Sequence, residues 1–335
     1  MPVLGLLLFI VPAISYGCSD AEPHHDDPSP ASEQSVTKTT VKVSGSGSLQ
    51  GSVMDVFTFN DDELQRLDSY TRIESLEGER IHINSQSGRK SMFICANCPK
   101  DIYGWSEISS TDNIRSMKAC LEDESRDRIL MSGIVKAVAG ETAGPVVLSP
   151  IGCEVVLRSI SCNFSGLPYS GKEITEAKAY LTNVNAEVSI FAETDKDRQP
   201  SRIINTGMLN EDDLKHFKDP GLVYQKVADR INGTVIRPDI RFMCYPNTAA
   251  KEGIGTPFTR LVIEGKVEGC TYYWPIDINR KNGGKGLERN SRYIFDILLK
   301  RKGTSDPEIP VKWEEAESLS EVRPWNEKQE ERIEF

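Results

Sequence analysis

LVIEGKVEGCTYYWPI, residues 261–276, holds two runs rich in β-branched and aromatic side chains, separated by Glu268-Gly269. A two-residue break with glycine where positive φ is cheap signals an antiparallel hairpin. Outward from this hairpin, period-two alternation broken by turn residues recurs from residue 36 onward. It predicts strands over Val36–Val43, Ser52–Phe59, Lys90–Ala96, Ile129–Ala139, Glu154–Cys162, Glu173–Asn183, Val235–Tyr245, Arg260–Val267, Cys270–Ile276 and Arg292–Lys300. Helical spacing is confined to Ser110–Asp123, with Ile114, Met117 and Leu121 behind a Ser/Thr/Asp cap, and to Asn210–Phe217, where Asn210 caps Glu211 to Asp213. The expected fold class is all-β, built as β-sandwiches with a few short helices.

The 335 residues are 27% charged and 38% hydrophobic with a net charge of −10, the composition of an acidic globular body. That length exceeds what one core comfortably supports, so two domains are expected. The Gly- and Pro-rich stretch AGETAGPVVLSPIG, residues 139–152, is the natural break. It gives an N-terminal domain over 36–145 and a C-terminal domain over 146–335. No basic stripe interleaved with aromatics is present, which excludes a nucleic-acid partner.

The N-terminus sets a location. Leu6 to Ile14 is an apolar run of signal-peptide length, too short to span a bilayer. Residues 1–17 read as a signal peptide cut at Gly17-Cys18, which leaves Cys18 to carry lipid, palmitate included. The n-region has no Lys or Arg, which points to a start codon upstream or to a mis-assigned start. Residues 18–35 follow as an acidic, Pro-rich tether with no large apolar side chain, a composition that cannot offset the entropy of ordering. His24-His25 beside Asp26-Asp27 read as solvated spacer rather than a metal site.

No catalytic constellation assembles. The four histidines are His24, His25, His82 and His216, and none lies in a motif with a nucleophile or a metal partner. Cys95-Ala96-Asn97-Cys98 is a CxxC without a second CxxC or a His pair at zinc spacing. Of eight cysteines, seven remain once Cys18 is acylated, an odd number that argues against a complete disulfide framework. Pairing among them stays open. Gly283-Gly284-Lys285-Gly286 lacks phosphate-loop spacing and precedes a strand. The chain is therefore expected to be no enzyme and to need no cofactor or metal. Tyr272-Tyr273-Trp274 could line a sugar-binding face, and a surface glycan-binding lipoprotein is the rival reading. An exposed aromatic platform including Trp274 or Trp105 would support it.

The segments TRLVIEGKVEGCTYYWPIDI and GLERNSRYIFDILLKRKGTSDPEIPV, with the terminal Val322-Arg323-Pro324-Trp325, resemble the fimbrillins of Bacteroidetes, the subunits of type V pili. Met54 to Asn60 and Ala179 to Val184 resemble two further strands of that family. The resemblance implies two transthyretin-like β-sandwich domains, export through the periplasm as a lipoprotein, and a cell-surface fimbrium attached to the outer membrane through lipid. The implied partners are other fimbrial subunits and a host or bacterial surface ligand.

It also implies assembly by strand exchange, in which a protease removes the first strand and a neighbour's C-terminal arm fills the groove. An open sheet edge carries unpaired N–H and C=O groups that an incoming strand satisfies. The candidate removable strand holds Val36, Val41 and Val43. The candidate donor arm, about residues 316–335, holds Leu319, Val322, Trp325, Ile333 and Phe335 among charges. One departure stands out: the loop 44–51 (SGSGSLQG) contains no Arg or Lys, and the nearest later protease sites are Arg66 and Arg72. A subunit that keeps its first strand and lipid would be an anchor or terminal subunit.

Overall fold

The computed structural model describes residues 35–45, 49–99, 104–191, 200–280, 283–311 and 316–325. The first half contributes strands β1 (Val36–Gly45), β2 (Met54–Asn60), β3 (Leu67–Ile73), β4 (Arg80–Gln86), β5 (Arg89–Ala96), β6 (Lys118–Cys120), β7 (Met131–Val138) and β8 (Thr142–Pro150). The second contributes β9 (Cys153–Cys162), β10 (Ile174–Thr182), β11 (Val184–Asn185), β12 (Glu187–Ser189), β13 (Ile203–Ile204), β14 (Tyr224–Ile231), β15 (Ile240–Cys244), β16 (Arg260–Val267), β17 (Cys270–Asp277), β18 (Ser291–Leu299) and β19 (Ala316–Pro324). Two short helices, α1 (Thr111–Ser116) and α2 (Glu211–Leu214), decorate the sheets. The all-β sandwich class expected from alternation is the observed one.

The hairpin at 261–276 is the pair β16 and β17, in register from Arg260↔Asp277 to Val267↔Cys270. Glu268 and Gly269 both sit at positive φ, 52° and 82°, as a two-residue turn of the primed type demands.

In the first half one seven-stranded sheet runs β3-β2-β5-β7-β8-β1-β4. It curls so that Val41, Val43, Ile81, Ile83, Val146 and Leu148 face Met54, Val56, Met92 and Ile94 across one core. β8 makes the crossing: it pairs with β7 only at Ser149 and Pro150 and with β1, in parallel, from Thr142 to Leu148. The open ends of the curl are tied by a buried ion pair. Lys90 Nζ lies 3.1 Å from Asp68 Oδ2, and the same oxygen accepts the Gln86 N–H at 3.0 Å, linking β5, β3 and β4.

The second half stacks a β14-β10-β16-β17 sheet on a β15-β9-β18-β19 sheet. Their inner faces share a second core, with Leu181, Ile263 and Trp274 on one side and Val155, Phe242 and Phe295 on the other. That core also reaches the opposite face of β2 and β5, through Phe57, Phe59 and Phe93. β2 therefore buries even positions in one core and odd positions in the other and has no solvent face, so Met54 to Phe59 are all buried, Asp55 and Thr58 included. Phe59, Phe93 and Phe191 stack edge to face at 5.4 and 5.2 Å, an arrangement that adds to their burial.

Several expectations need correction. The expected helix over Ser110–Asp123 is only α1, capped by Ser110, which exchanges reciprocal hydrogen bonds with Asn113. Beyond it Lys118–Cys120 leave the helical path to pair with β12, so a ladder overrides a spacing carried by three residues. The expected strand Val235–Tyr245 begins only at Ile240, because Pro238 cannot donate to a ladder and restricts Arg237 before it. Residues 139–152, read as a break, carry strand β8, so position 145 falls inside a strand rather than in a linker. Pro145 is tolerated there because it lies at the shift of the β1–β8 register between Ala143 and Val146. Gly133 of β7 permits the close approach of β8, since a Cβ there would stand 2.9 Å from the Val147 carbonyl oxygen. Strands β3, β4, β14 and β19 were not expected from the alternation.

Candidate functional site

The first strand is not at a sheet edge. β1 lies between β4, antiparallel from Val36↔Gln86 to Lys42↔Arg80, and β8, parallel from Thr40↔Thr142 to Gly45↔Leu148. Thr39, Val41 and Val43 point inward and are inaccessible, whereas Val36 is 69% exposed. Two of the three valines named for this strand thus fill the core and the third does not. β4 has no sheet partner other than β1. Withdrawing β1 would uncover both flanking ladders and a slot shaped for alternate apolar side chains, each worth about 1.5–3 kcal/mol when buried.

The two candidate cleavage sites differ sharply. Arg66 is exposed in the turn between β2 and β3. Arg72 lies within β3, and its guanidinium donates to both oxygens of the buried Asp55 carboxylate at 2.8 and 3.0 Å. Tyr70 donates to the same carboxylate at 2.6 Å, and burial followed by that carboxylate pushes its phenol up to about 12. A cut at either arginine falls after β2, a strand buried on both faces.

The C-terminal segment is not free in this chain. Residues 316–324 form β19, paired along its whole length with β18 from Leu299↔Ala316 to Ser291↔Pro324. Leu319 stands opposite Asp296 in that ladder. Val322 is half exposed, while Trp325 is 8% exposed, joins the second core and donates its backbone N–H to the Asn290 carbonyl at 3.0 Å. Glu321 faces Arg158 at 3.6 Å, and Arg158 Nε donates to Asp296 at 3.0 Å, so a surface ion network crosses β9, β18 and β19. Ile333 and Phe335 lie outside the described residues, as do Gly17, Cys18 and the tether.

The terminal tryptophan meets the loop that follows the first strand. Trp325, at the end of β19, and Gln50, Gly51 and Ser52, in the loop that follows β1, line one cavity of about 310 Å³. Arg126 and Arg128 complete its polar wall. Sequence reasoning named the tryptophan and the loop separately; their meeting depends on the pairing of distant strands, which no local signal carries.

Trp274 is fully buried, and its indole N–H donates to the Arg301 carbonyl at 2.9 Å. Trp105 is half-buried, with its ring 4.9 Å from that of Phe57. Among the described residues no group of three or more His, Cys, Asp or Glu is placed to hold a metal ion. No helix among them is long and apolar enough to cross a membrane.

Glu124, whose run Glu122-Asp123-Glu124 reads from sequence as solvated charge, is instead a buried carboxyl. Tyr245 of the second half donates its hydroxyl to Glu124 at 2.9 Å. Burial pushes the Glu124 carboxyl up to about 7, against the opposing pull of the Tyr245 bond.

No protein-family model matches the chain, and no curated protein matches it. Solved structures do. A candidate cell adhesion protein from Bacteroides eggerthii DSM 20697 is 19% identical with a TM-score of 0.66, over 87% of this chain and 96% of that one. Another from Parabacteroides distasonis ATCC 8503 is 18% identical with a TM-score of 0.65, over 88% and 98%. A fimbrilin from Porphyromonas gingivalis W83 is 14% identical with a TM-score of 0.62, over 87% and 98%. The sandwich strands, the paired first strand and the terminal strand described above thus lie in a chain that has the fold of the fimbrillin-like proteins of Bacteroidetes.

Proposed function

We propose that this chain is a non-enzymatic structural subunit of a cell-surface fimbria, exported as a lipoprotein acylated at Cys18 and assembled by β-strand exchange. The observation that carries this reading is the position of β1. It is the first described strand in chain order, yet it sits inside a sheet between β4 and β8 and fills a core slot with Val41 and Val43. Once such a strand is removed, another strand with alternate apolar side chains can take its slot. The fold neighbours support the same class. The proposed acceptor is the β1 slot, and the proposed donor is the segment 316–335 of another subunit. The domain break belongs after β8, at about residues 151–152, rather than at 145.

Within this reading we assign an anchor or terminal role. The loop 44–51 offers no basic residue. A cut at Arg66 would take β2 away with β1, and Arg72 is held in an ion pair inside β3. A subunit that keeps its first strand keeps its lipid. The deciding measurement is the N-terminal residue of the mature protein from cells: lipidated Cys18 supports the anchor, and a start just after Arg66 or Arg72 overturns it. For strand exchange itself, the chain lacking residues 1–43 should form concentration-dependent oligomers that disappear when 316–335 is also deleted. A stable monomer in the first case removes the idea. The rival glycan platform loses its main support, because Trp274 is buried.

A further inference from the structure

Cys153 opens β9 and Cys244 closes β15, and the antiparallel register sets them directly opposite each other. Their sulfurs are 3.5 Å apart and both side chains are inaccessible to solvent. Opposed residues of an antiparallel pair have Cα atoms about 4.5–5.5 Å apart, within the roughly 4.4–6.8 Å that a disulfide bridges. Neighbouring backbone is drawn close here as well: a Cβ on Gly152 would meet the Cys244 carbonyl oxygen at 2.9 Å.

We propose that Cys153 and Cys244 form a disulfide site that closes when the chain folds in the presence of an external disulfide. The Cys153 thiolate attacks that disulfide, for which oxidised glutathione serves, and releases one glutathione thiol. The Cys244 thiolate then attacks the Cys153 sulfur and releases the second, so two protein thiols become one S–S bond while the oxidant becomes two thiols. In the finished fold burial holds the Cys153 thiol in its protonated, unreactive form, and Cys244 beside it adds to that effect. Closure therefore belongs to folding, not to the folded protein.

The bridge has a structural consequence that the CxxC at 95–98 cannot match. It joins positions 91 apart, so it restricts the unfolded chain strongly, whereas a CxxC closes a short loop. It also pins β15, an edge strand held in its sheet by β9 alone, at the end that leads into Tyr245 and its bond to Glu124. Closure in cells rests on the export proposed above; the geometry does not.

The test uses the full chain, denatured and reduced, then refolded with oxidised and reduced glutathione; a second sample, already folded and reduced, receives the same buffer. Alkylation and peptide mass mapping should find the Cys153 peptide linked to the Cys244 peptide in the refolded sample only. The thermal midpoint should rise by roughly 5–15 °C. The Cys153→Ala/Cys244→Ala double variant should fold in reducing buffer and lose the shift. Recovery of both cysteines alkylated after refolding, or of either joined to another cysteine, overturns the site. A bridge that forms in the tube but is absent from the chain isolated from cells leaves the site standing and counts against export instead.

Discussion

Tyr245 and Glu124, 121 positions apart in the chain, meet through a 2.9 Å hydrogen bond in which the phenol donates to a buried carboxyl. A carboxyl whose pKa is raised by folding, here from 4.5 to about 7, takes up a proton as the chain folds. The contribution of this one group to stability is then fully present below about pH 4.5, is lost as pH rises through the interval to 7, and is flat above it. Glu124→Gln should remove this slope. The variant is expected to match wild type at pH 5 and to exceed it by about 1–3 kcal/mol at pH 8. Urea unfolding at the two pH values checks this, and a difference independent of pH would show that Glu124 is ionised throughout.

Lys90 and Asp68 are both inaccessible, and each compensates the other's charge. Removing one leaves a buried charge alone, so Lys90→Met is expected to cost about 3–5 kcal/mol. Lys90→Met combined with Asp68→Asn should recover much of that loss. Denaturant melts of the two singles and the double form the thermodynamic cycle, and simple additivity would contradict a direct interaction.

The β1 valines separate core from surface within one strand. Val41→Ala and Val43→Ala are each expected to lose about 1–2 kcal/mol, and Val36→Ala to stay within about 0.5. Equal effects at all three positions in a chemical melt would mean that β1 is not seated as described.

Trp325 distinguishes a docked terminal strand from a solvated acidic tail. Trp325→Ala is expected to lower stability by about 2–4 kcal/mol, against less than about 0.5 for Val322→Ala. Fluorescence offers a second readout, since a buried indole emits at shorter wavelength than an exposed one. No stability change on removing Trp325 would return the segment to the role of a free arm.

Local patterns carried much of this fold. β16 and β17 were legible because their turn chemistry and alternation agree, and β9, β10 and β18 because their apolar runs are long. β4 was readable in principle: RIHINSQ alternates Ile81, Ile83 and Ser85 inward with exposed neighbours. β8 was hidden by Gly144 and Pro145, which mark a turn unless the partner strand shifts register at that point. The candidate site was legible as parts only. Ten acids and four bases from residue 306 onward resemble a tail, and nothing local says that Val322 and Trp325 fold back beside β18. The Lys90–Asp68 and Tyr245–Glu124 contacts join residues brought together by the sheets, so they become visible only once the topology is known.

The pairing of β1 with β8 has a consequence for how the protein comes into being. Val41 meets Ile81 on one side and, about a hundred residues after itself, Ala143 on the other, so a chain emerging N-terminus first can pair its opening strand with β4 but leaves the second ladder open until β8 arrives. Closing so long a loop is slow relative to forming hairpins such as β16 and β17. One of the first strands made is therefore expected to be among the last to have both of its ladders closed.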